Sequence, residues 1–264
     1  MKVGSDMKRQ IFRTVFIGMA LACVPLSPGA NAAEGAQPDV ISAVPEKQTI
    51  SLAKGQLLSL VMPKIDPAGA TERQEYSKRA FTIARSLGLQ LEGSFTIPAK
   101  IVGNFTPDAA LFFSWPNQAA ETALSRHPEW PEIKALRPKA WEELKIYTVA
   151  LEGDTTLEFD PAKSYTLAIA WLNPERPNDY YKYMEAISGD VQAVGGRFIL
   201  KMVEPKFEAH ASPKVAPGQV TIAEWPSDSS VAELRRREGY AEKYAYFESG
   251  VSRFEFYRIA PVIK

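Results

Sequence analysis

Cysteine is nearly missing from this chain of 264 residues: Cys23 is the only one, and it lies close to the N-terminus. Beyond it a disulfide, a thiolate nucleophile and a cysteine-ligated metal are excluded. Histidine is almost as scarce, with only His127 and His210. Neither sits in an HxxxH or HExxH pattern, and there is no CxxC pair, glycine-rich phosphate loop or GxSxG elbow, so the sequence implies no metal and no cofactor and identifies no catalytic residue by motif. Lys plus Arg and Asp plus Glu each total 31. With no excess of positive charge to neutralise phosphates, nucleic acid is not expected as a partner. Long apolar runs are missing after the first thirty residues, so no transmembrane segment is expected in the mature chain.

What is there begins with an export pattern. Lys8, Arg9 and Arg13 precede the apolar stretch TVFIGMALACVPL, and Ala30-Asn31-Ala32 places small residues at both cleavage-determining positions. Residues 1–32 therefore read as a signal peptide, and the expected address is the periplasm. A lipoprotein anchored through Cys23 fits less well, because Ala20 stands where leucine is preferred. Cleavage after Ala32 would remove the only cysteine. Residues 33–48 are small, polar and Pro/Gly-containing, and read as a flexible leader.

The remainder repeats itself. Trp115-Pro116 and Trp225-Pro226 stand 110 residues apart, and at the same offset Leu124 falls on Leu234, Trp130 on Tyr240 and Tyr147 on Tyr257. In the second half, YTLAIAWL reads as a strand. Tyr181, Met184, Ile187, Val191 and Val194 follow at the three-and-four spacing of one helix face, and Gly195-Gly196 closes that helix. RFILKMV, QVTIAEW, a helical region broken near Gly239, and SRFEFYRI complete a β-α-β-β-α-β order. The first half reads likewise, with a helix from about Thr71 to Leu87. The predicted class is α+β, as two tandem ferredoxin-like βαββαβ units: residues 49–153 and 164–264, joined by a linker at 154–163.

The run of strand, helix, VGGRF, a strand ending in EWPS, EGYAEKYAYF and a closing strand resembles the small dimeric α/β-barrel domains, most closely the domain of unknown function thirteen-thirty. The resemblance covers about 95 residues of the second half and, more loosely, the first. It implies two such units packed sheet to sheet, so the tandem would be a pseudo-dimer within one chain. Some members of the wider superfamily bind haem through a histidine, but no local motif carries that role to His127 or His210.

Strand alternation then selects a candidate site. If Phe254 and Phe256 face the helices, Arg253, Glu255 and Tyr257 face the other sheet. If Phe198, Leu200 and Met202 face the helices, Arg197 and Lys201 face inward too. The first half contributes Gln90, Glu92 and Ser94 from one strand, with Lys145 and Tyr147 from another. Tyr147, Arg197, Lys201, Arg253, Glu255 and Tyr257 are the candidate ligand-binding residues, for a small anionic or carbonyl compound in a polar space between the sheets. The opposing reading is that these charges sit on sheet edges and prevent unwanted pairing. Two other functions fit: cofactor-independent oxygenase, isomerase or lyase chemistry on a small carbonyl compound, with Tyr147, Tyr257 and Glu255 as acid and base, or an envelope interaction module using Tyr180, Tyr181, Tyr240, Tyr244 and Tyr246.

Overall fold

The computed structural model describes residues 47–262. The expected signal peptide and all of the expected leader but its last two residues lie outside the described residues. Strands β1 (Gln48–Leu52) and β2 (Leu57–Ile65), helix α1 (Ala70–Ser86), and strands β3 (Gln90–Val102) and β4 (Ala110–Trp115) come first. Three short helices, α2 (Gln118–Ser125), α3 (Trp130–Lys134) and α4 (Arg137–Ala140), lead into β5 (Trp141–Ala150) and β6 (Thr155–Phe159). The second half runs β7 (Ser164–Leu172), α5 (Pro177–Ala193), β8 (Arg197–Val203), β9 (Lys206–Glu208), β10 (Gln219–Trp225), α6 (Ser230–Arg235), α7 (Tyr240–Gly250) and β11 (Val251–Pro261).

The two Trp-Pro pairs do the same packing job in each half. Gly88 follows α1 with φ +91° and Gly195 follows α5 with φ +75°, a left-handed conformation that glycine adopts without steric cost. A Cβ on Gly88 would lie 2.9 Å from the Pro116 ring, and one on Gly195 2.7 Å from the Pro226 ring. Each proline thus seats on the turn that ends the long helix. Pro116 precedes the next helix, α2: Asn117 is its N-cap and accepts a hydrogen bond from the Ala120 amide at 2.9 Å.

All pairings in the main sheet are antiparallel, in the order β8-β10-β7-β11-β3-β4-β2-β5-β9. The first and last strands of that order are separated in the chain only by Glu204 and Pro205. Because β8 pairs with β10 while its continuation β9 pairs with β5, the sheet curls until its two edges meet, and a barrel results. Glu204 makes the corner, as the only non-glycine residue with positive φ among the described residues. Counting β8 and β9 as one bent strand gives eight, the number at which side chains just fill the interior. The expected packing of two sheets face to face is thereby corrected: the halves are also stitched edge to edge, through β11 with β3 and β5 with β9. Outer strands carry unpaired N–H and C=O groups that such pairing satisfies.

The interior is mostly apolar. Leu60, Phe112, Leu167, Ile169, Val220 and Ile222 are fully buried there, drawn from both halves. The long helices cover the outer face, α1 against Trp115 and Trp141, α5 against Ala223 and Trp225. The expected linker at 154–163 is a second correction, because it contains β6, which pairs with β1 and buries Leu157 and Phe159 beside Ile50 and Leu52. The same pairing takes Gln48 out of the leader. This two-stranded sheet plugs one end of the barrel, Phe159 packing on Phe95 at 4.6 Å and on Tyr165 at 5.2 Å between ring centroids.

Candidate functional site at the open barrel mouth

The other end of the barrel is polar. On β5, Leu144 and Ile146 pack under the helices, so Glu143, Lys145 and Tyr147 share the inner face. On β11, Tyr257 joins the interior cluster while Phe254 packs on the helix side, which puts Arg253, Glu255 and Tyr257 inside. These two inner-face triplets meet. Lys145 Nζ lies 2.8 Å from Glu255 Oε1, with the side chains 1% and 5% exposed. Arg253 Nη2 reaches the same oxygen at 3.3 Å. The Tyr257 hydroxyl shares its proton between Glu255 Oε2 at 3.0 Å and the Phe105 carbonyl at 3.1 Å.

Aromatic rings frame the charges. Lys145 Nζ lies 4.0 Å from the centroid of Phe105, and the Arg253 guanidinium lies 3.5 Å from that of Trp171, both favourable cation–π contacts. Gly103, with φ +106°, lets the β3–β4 loop close over Glu255: a Cβ there would approach Glu255 Cγ at 3.0 Å. A cleft of about 330 Å³ opens at this point, lined by Asn104, Phe105, Glu143, Lys145, Ser212, Arg253 and Glu255 among others.

One loop, residues 209–218, forms part of the rim. Glu143 Oε1 accepts from the His210 and Ala211 amides at 3.2 and 3.3 Å, and Oε2 accepts from Ser212 N at 2.5 Å. On its far side Trp171 Nε1 donates to Val215 O at 2.8 Å. Burial raises the Glu143 pKa, but these hydrogen bonds outweigh it and hold the carboxyl below its ordinary value. His210 Nε2 lies 3.0 Å from the Trp141 carbonyl, which fixes its role as a structural tie in this loop. Among the described residues no three His, Cys, Asp or Glu side chains converge as metal ligands.

Burial lowers the Lys145 pKa, only partly offset by Glu255. Burial also pushes the phenols of Tyr147 and Tyr257 upward, with the Glu255 charge acting in the same direction, so both remain protonated donors. Tyr147 stacks on Phe207 at 5.0 Å, and its hydroxyl has no hydrogen-bond partner among the described residues.

Four of the six candidate residues are therefore brought together: Tyr147, Arg253, Glu255 and Tyr257. Arg197 and Lys201 are not. A register shift between Ile222 and Ala223 inserts an extra residue in β8, so Leu200 and Met202 face the interior and Lys201 turns out to solvent, its Nζ 4.8 Å from the Phe198 ring centroid. Arg197 pairs with Glu224 at the plugged end, 56% exposed. A similar shift between Leu91 and Gly93 in β3 turns Ser94 outward, opposite Leu111, while Glu92 bonds Ser114. Bulges of this kind reverse the alternation from which the inward faces were read. Glu143 and Trp171 belong to the site but escaped the sequence reading; both continue alternations already visible, Glu143-Lys145-Tyr147 and Leu167-Ile169-Trp171.

Fold and mouth together define an antiparallel α/β barrel with one plugged end and one charged, open end. No helix of the described residues is long and apolar enough to cross a membrane. No family model matches the sequence, and no curated protein matches it. Solved structures are similar in outline. An anthrone oxidase-like protein aligns at 12% identity over 80% of this chain and 94% of its own, with a TM-score of 0.48. A variant chlorite dismutase from Candidatus Nitrospira defluvii aligns at 7% identity over 80% and 93%, with a TM-score of 0.43. A protein provisionally called a monooxygenase, from Lactobacillus acidophilus NCFM, aligns at 10% over 79% and 94%, with a TM-score of 0.38. These neighbours are of dimeric α/β-barrel type. No activity is carried from them to this chain.

Proposed function

We propose that this protein binds a small organic anion, a carboxylate in the first instance, in the cleft at the open barrel mouth. The observation that carries the reading is a buried ion pair, Lys145 with Glu255, facing a 330 Å³ cleft at the end of an otherwise apolar interior. An ion taken from water into a protein interior costs several kcal/mol, and one carboxylate shared by two cations is a costly arrangement to keep for packing alone. The volume falls within the range of small-molecule sites. Among the described residues Arg253 makes one hydrogen bond, to Glu255, and its side chain is 35% exposed. Arg253 lines the cleft, where a carboxylate would complete the pairing in the bidentate geometry that a guanidinium favours. Glu143 does not compete for them, since loop amides occupy its oxygens.

Two further readings support this setting. The order of strands within each half, second-third-first-fourth, is the same in residues 57–150 and 164–261, which supports an internal duplication in which each half is the other's barrel partner. The charged, apolar and small-residue segments of residues 1–32 support export to the periplasm, where the ligand would be met.

Titration with lactate and benzoate, followed by the fluorescence of Trp171 against a Trp171→Phe control, tests the site. Saturable binding is expected, weakened at least tenfold by Arg253→Ala. Equal binding by wild type and Arg253→Ala, or none by wild type, would overturn the proposal.

A further inference from the structure

Lys145 is an unusual lysine for a protein of balanced charge: it is withdrawn from solvent, yet it borders a cleft. We infer that Lys145 is an amine nucleophile that forms an imine with the carbonyl of a small 2-oxo acid whose carboxylate is held by Arg253. The inference rests on the anion-binding reading of the same cleft and adds a covalent step to it.

Geometry supplies the parts. Lys145 Nζ and Arg253 Nη2 contact the same Glu255 oxygen, at 2.8 and 3.3 Å. The two groups are therefore neighbours, spaced to engage a carboxylate and the carbonyl bonded to it. Glu255 is the proton acceptor within hydrogen-bond reach of Nζ. Moving the proton from Nζ to Oε1 turns a buried ion pair into a neutral amine and a neutral carboxyl, and desolvation favours the neutral forms of both. Phe105, 4.0 Å from Nζ, excludes water from one side. Burial depresses the lysine pKa in the same sense, so that more free amine is present near neutrality than on a surface lysine.

The step balances without a further reactant. Nζ, having given its proton to Glu255, attacks the carbonyl carbon; the C–N bond forms and the carbonyl π pair moves to oxygen. Glu255 returns the proton to that oxygen, and the second Nζ hydrogen leaves with it as the C–O bond breaks. The products are the protonated imine, which keeps the third Nζ hydrogen and the positive charge, one water, and Glu255 again as the carboxylate that pairs with it. Tyr257, bonded to the second oxygen of Glu255 at 3.0 Å, holds the carboxyl in position for both transfers and is a positioning residue.

The test uses the full chain with pyruvate and cyanoborohydride, which reduces an imine to a stable secondary amine, followed by peptide mapping. Labelling is expected at Lys145 ahead of the exposed Lys54 and Lys182, saturating with pyruvate and suppressed by lactate. Arg253→Ala should lower pyruvate labelling at least tenfold while leaving acetaldehyde labelling of Lys145 in place, because acetaldehyde has a carbonyl and no carboxylate. Labelling confined to exposed lysines would overturn the inference. If lactate binds but Lys145 is never labelled, the imine falls and the anion site stands; if neither occurs, both fall. Mapping of the wild-type chain decides these outcomes without any Lys145 variant having to fold.

Discussion

At the scale of single residues, the Lys145–Glu255 pair dominates the energetics of the barrel mouth. Both side chains are withdrawn from water, and each offsets the desolvation of the other. Removing one partner leaves an uncompensated buried charge, for which a loss of about 3–5 kcal/mol is typical. Lys145→Met is therefore expected to destabilise the fold by about that amount. The double variant Lys145→Met/Glu255→Leu, which removes both charges, should recover most of the loss even though Tyr257 and Arg253 lose an acceptor. Urea denaturation of the wild type, both singles and the double measures the coupling directly. Equal and additive losses would mean that the pair is not electrostatically coupled. The residues of this cluster were legible in part: β11 keeps a strict alternation from Arg253 to Tyr257, and its inner face could be read from SRFEFYRI alone.

At the scale of elements, the loop 209–218 is held to the strand β5 by the Glu143 carboxylate and by the His210–Trp141 contact. Burial raises the Glu143 pKa, but hydrogen bonds from Ser212, Ala211 and His210 favour the charged form more and hold it below its ordinary value of 4.5. The unfolded chain therefore takes up this proton first as pH falls. Stability contributed by Glu143 is fully present above about pH 4.5 and is lost progressively as pH drops toward the depressed native value. Cleavage within residues 209–218 by pepsin should accelerate through that window, and Glu143→Gln should raise the rate at neutral pH, measured with a neutral protease, while flattening its pH dependence. A loop equally resistant at all pH values would assign its anchoring to the His210–Trp141 and Trp171–Val215 hydrogen bonds instead. Neither this loop nor its anchor was legible from the sequence, because the tie joins residues 67 to 69 positions apart. The errors in β8 and β3 have the same origin at shorter range. One inserted residue in each strand reverses every side chain beyond it; Gly93 stands beside the insertion in LQLEGSF, whereas no residue of RFILKMV marks where it falls.

At the scale of the whole molecule, the interior cluster draws on both halves, and the strand pairs β11 with β3 and β5 with β9 cross between them. Neither half can bury its inner sheet face without the other. Residues 45–264 are expected to melt in one calorimetric transition with equal calorimetric and van't Hoff enthalpies. Residues 49–153 expressed alone should self-associate or remain unfolded. Two resolved transitions, or a stable monomeric first half, would show that the halves are independent domains. The closure itself depends on the corner at Glu204, where a positive φ and the following proline send β9 away from β10 and onto β5.

The sequence by itself determined the α+β class, the order of strands and helices in each half, the helix ends at Gly88 and Gly195, and the inner face of β11. These follow from periodicity and from glycine's access to left-handed backbone, which act over a few residues. Only the tertiary structure decided that the two sheets join at their edges, that β1 and β6 plug one end, and that Arg197 and Lys201 stand apart from the mouth. Those outcomes depend on register and on pairings between distant strands, where a single extra residue changes the face on which a charge is presented.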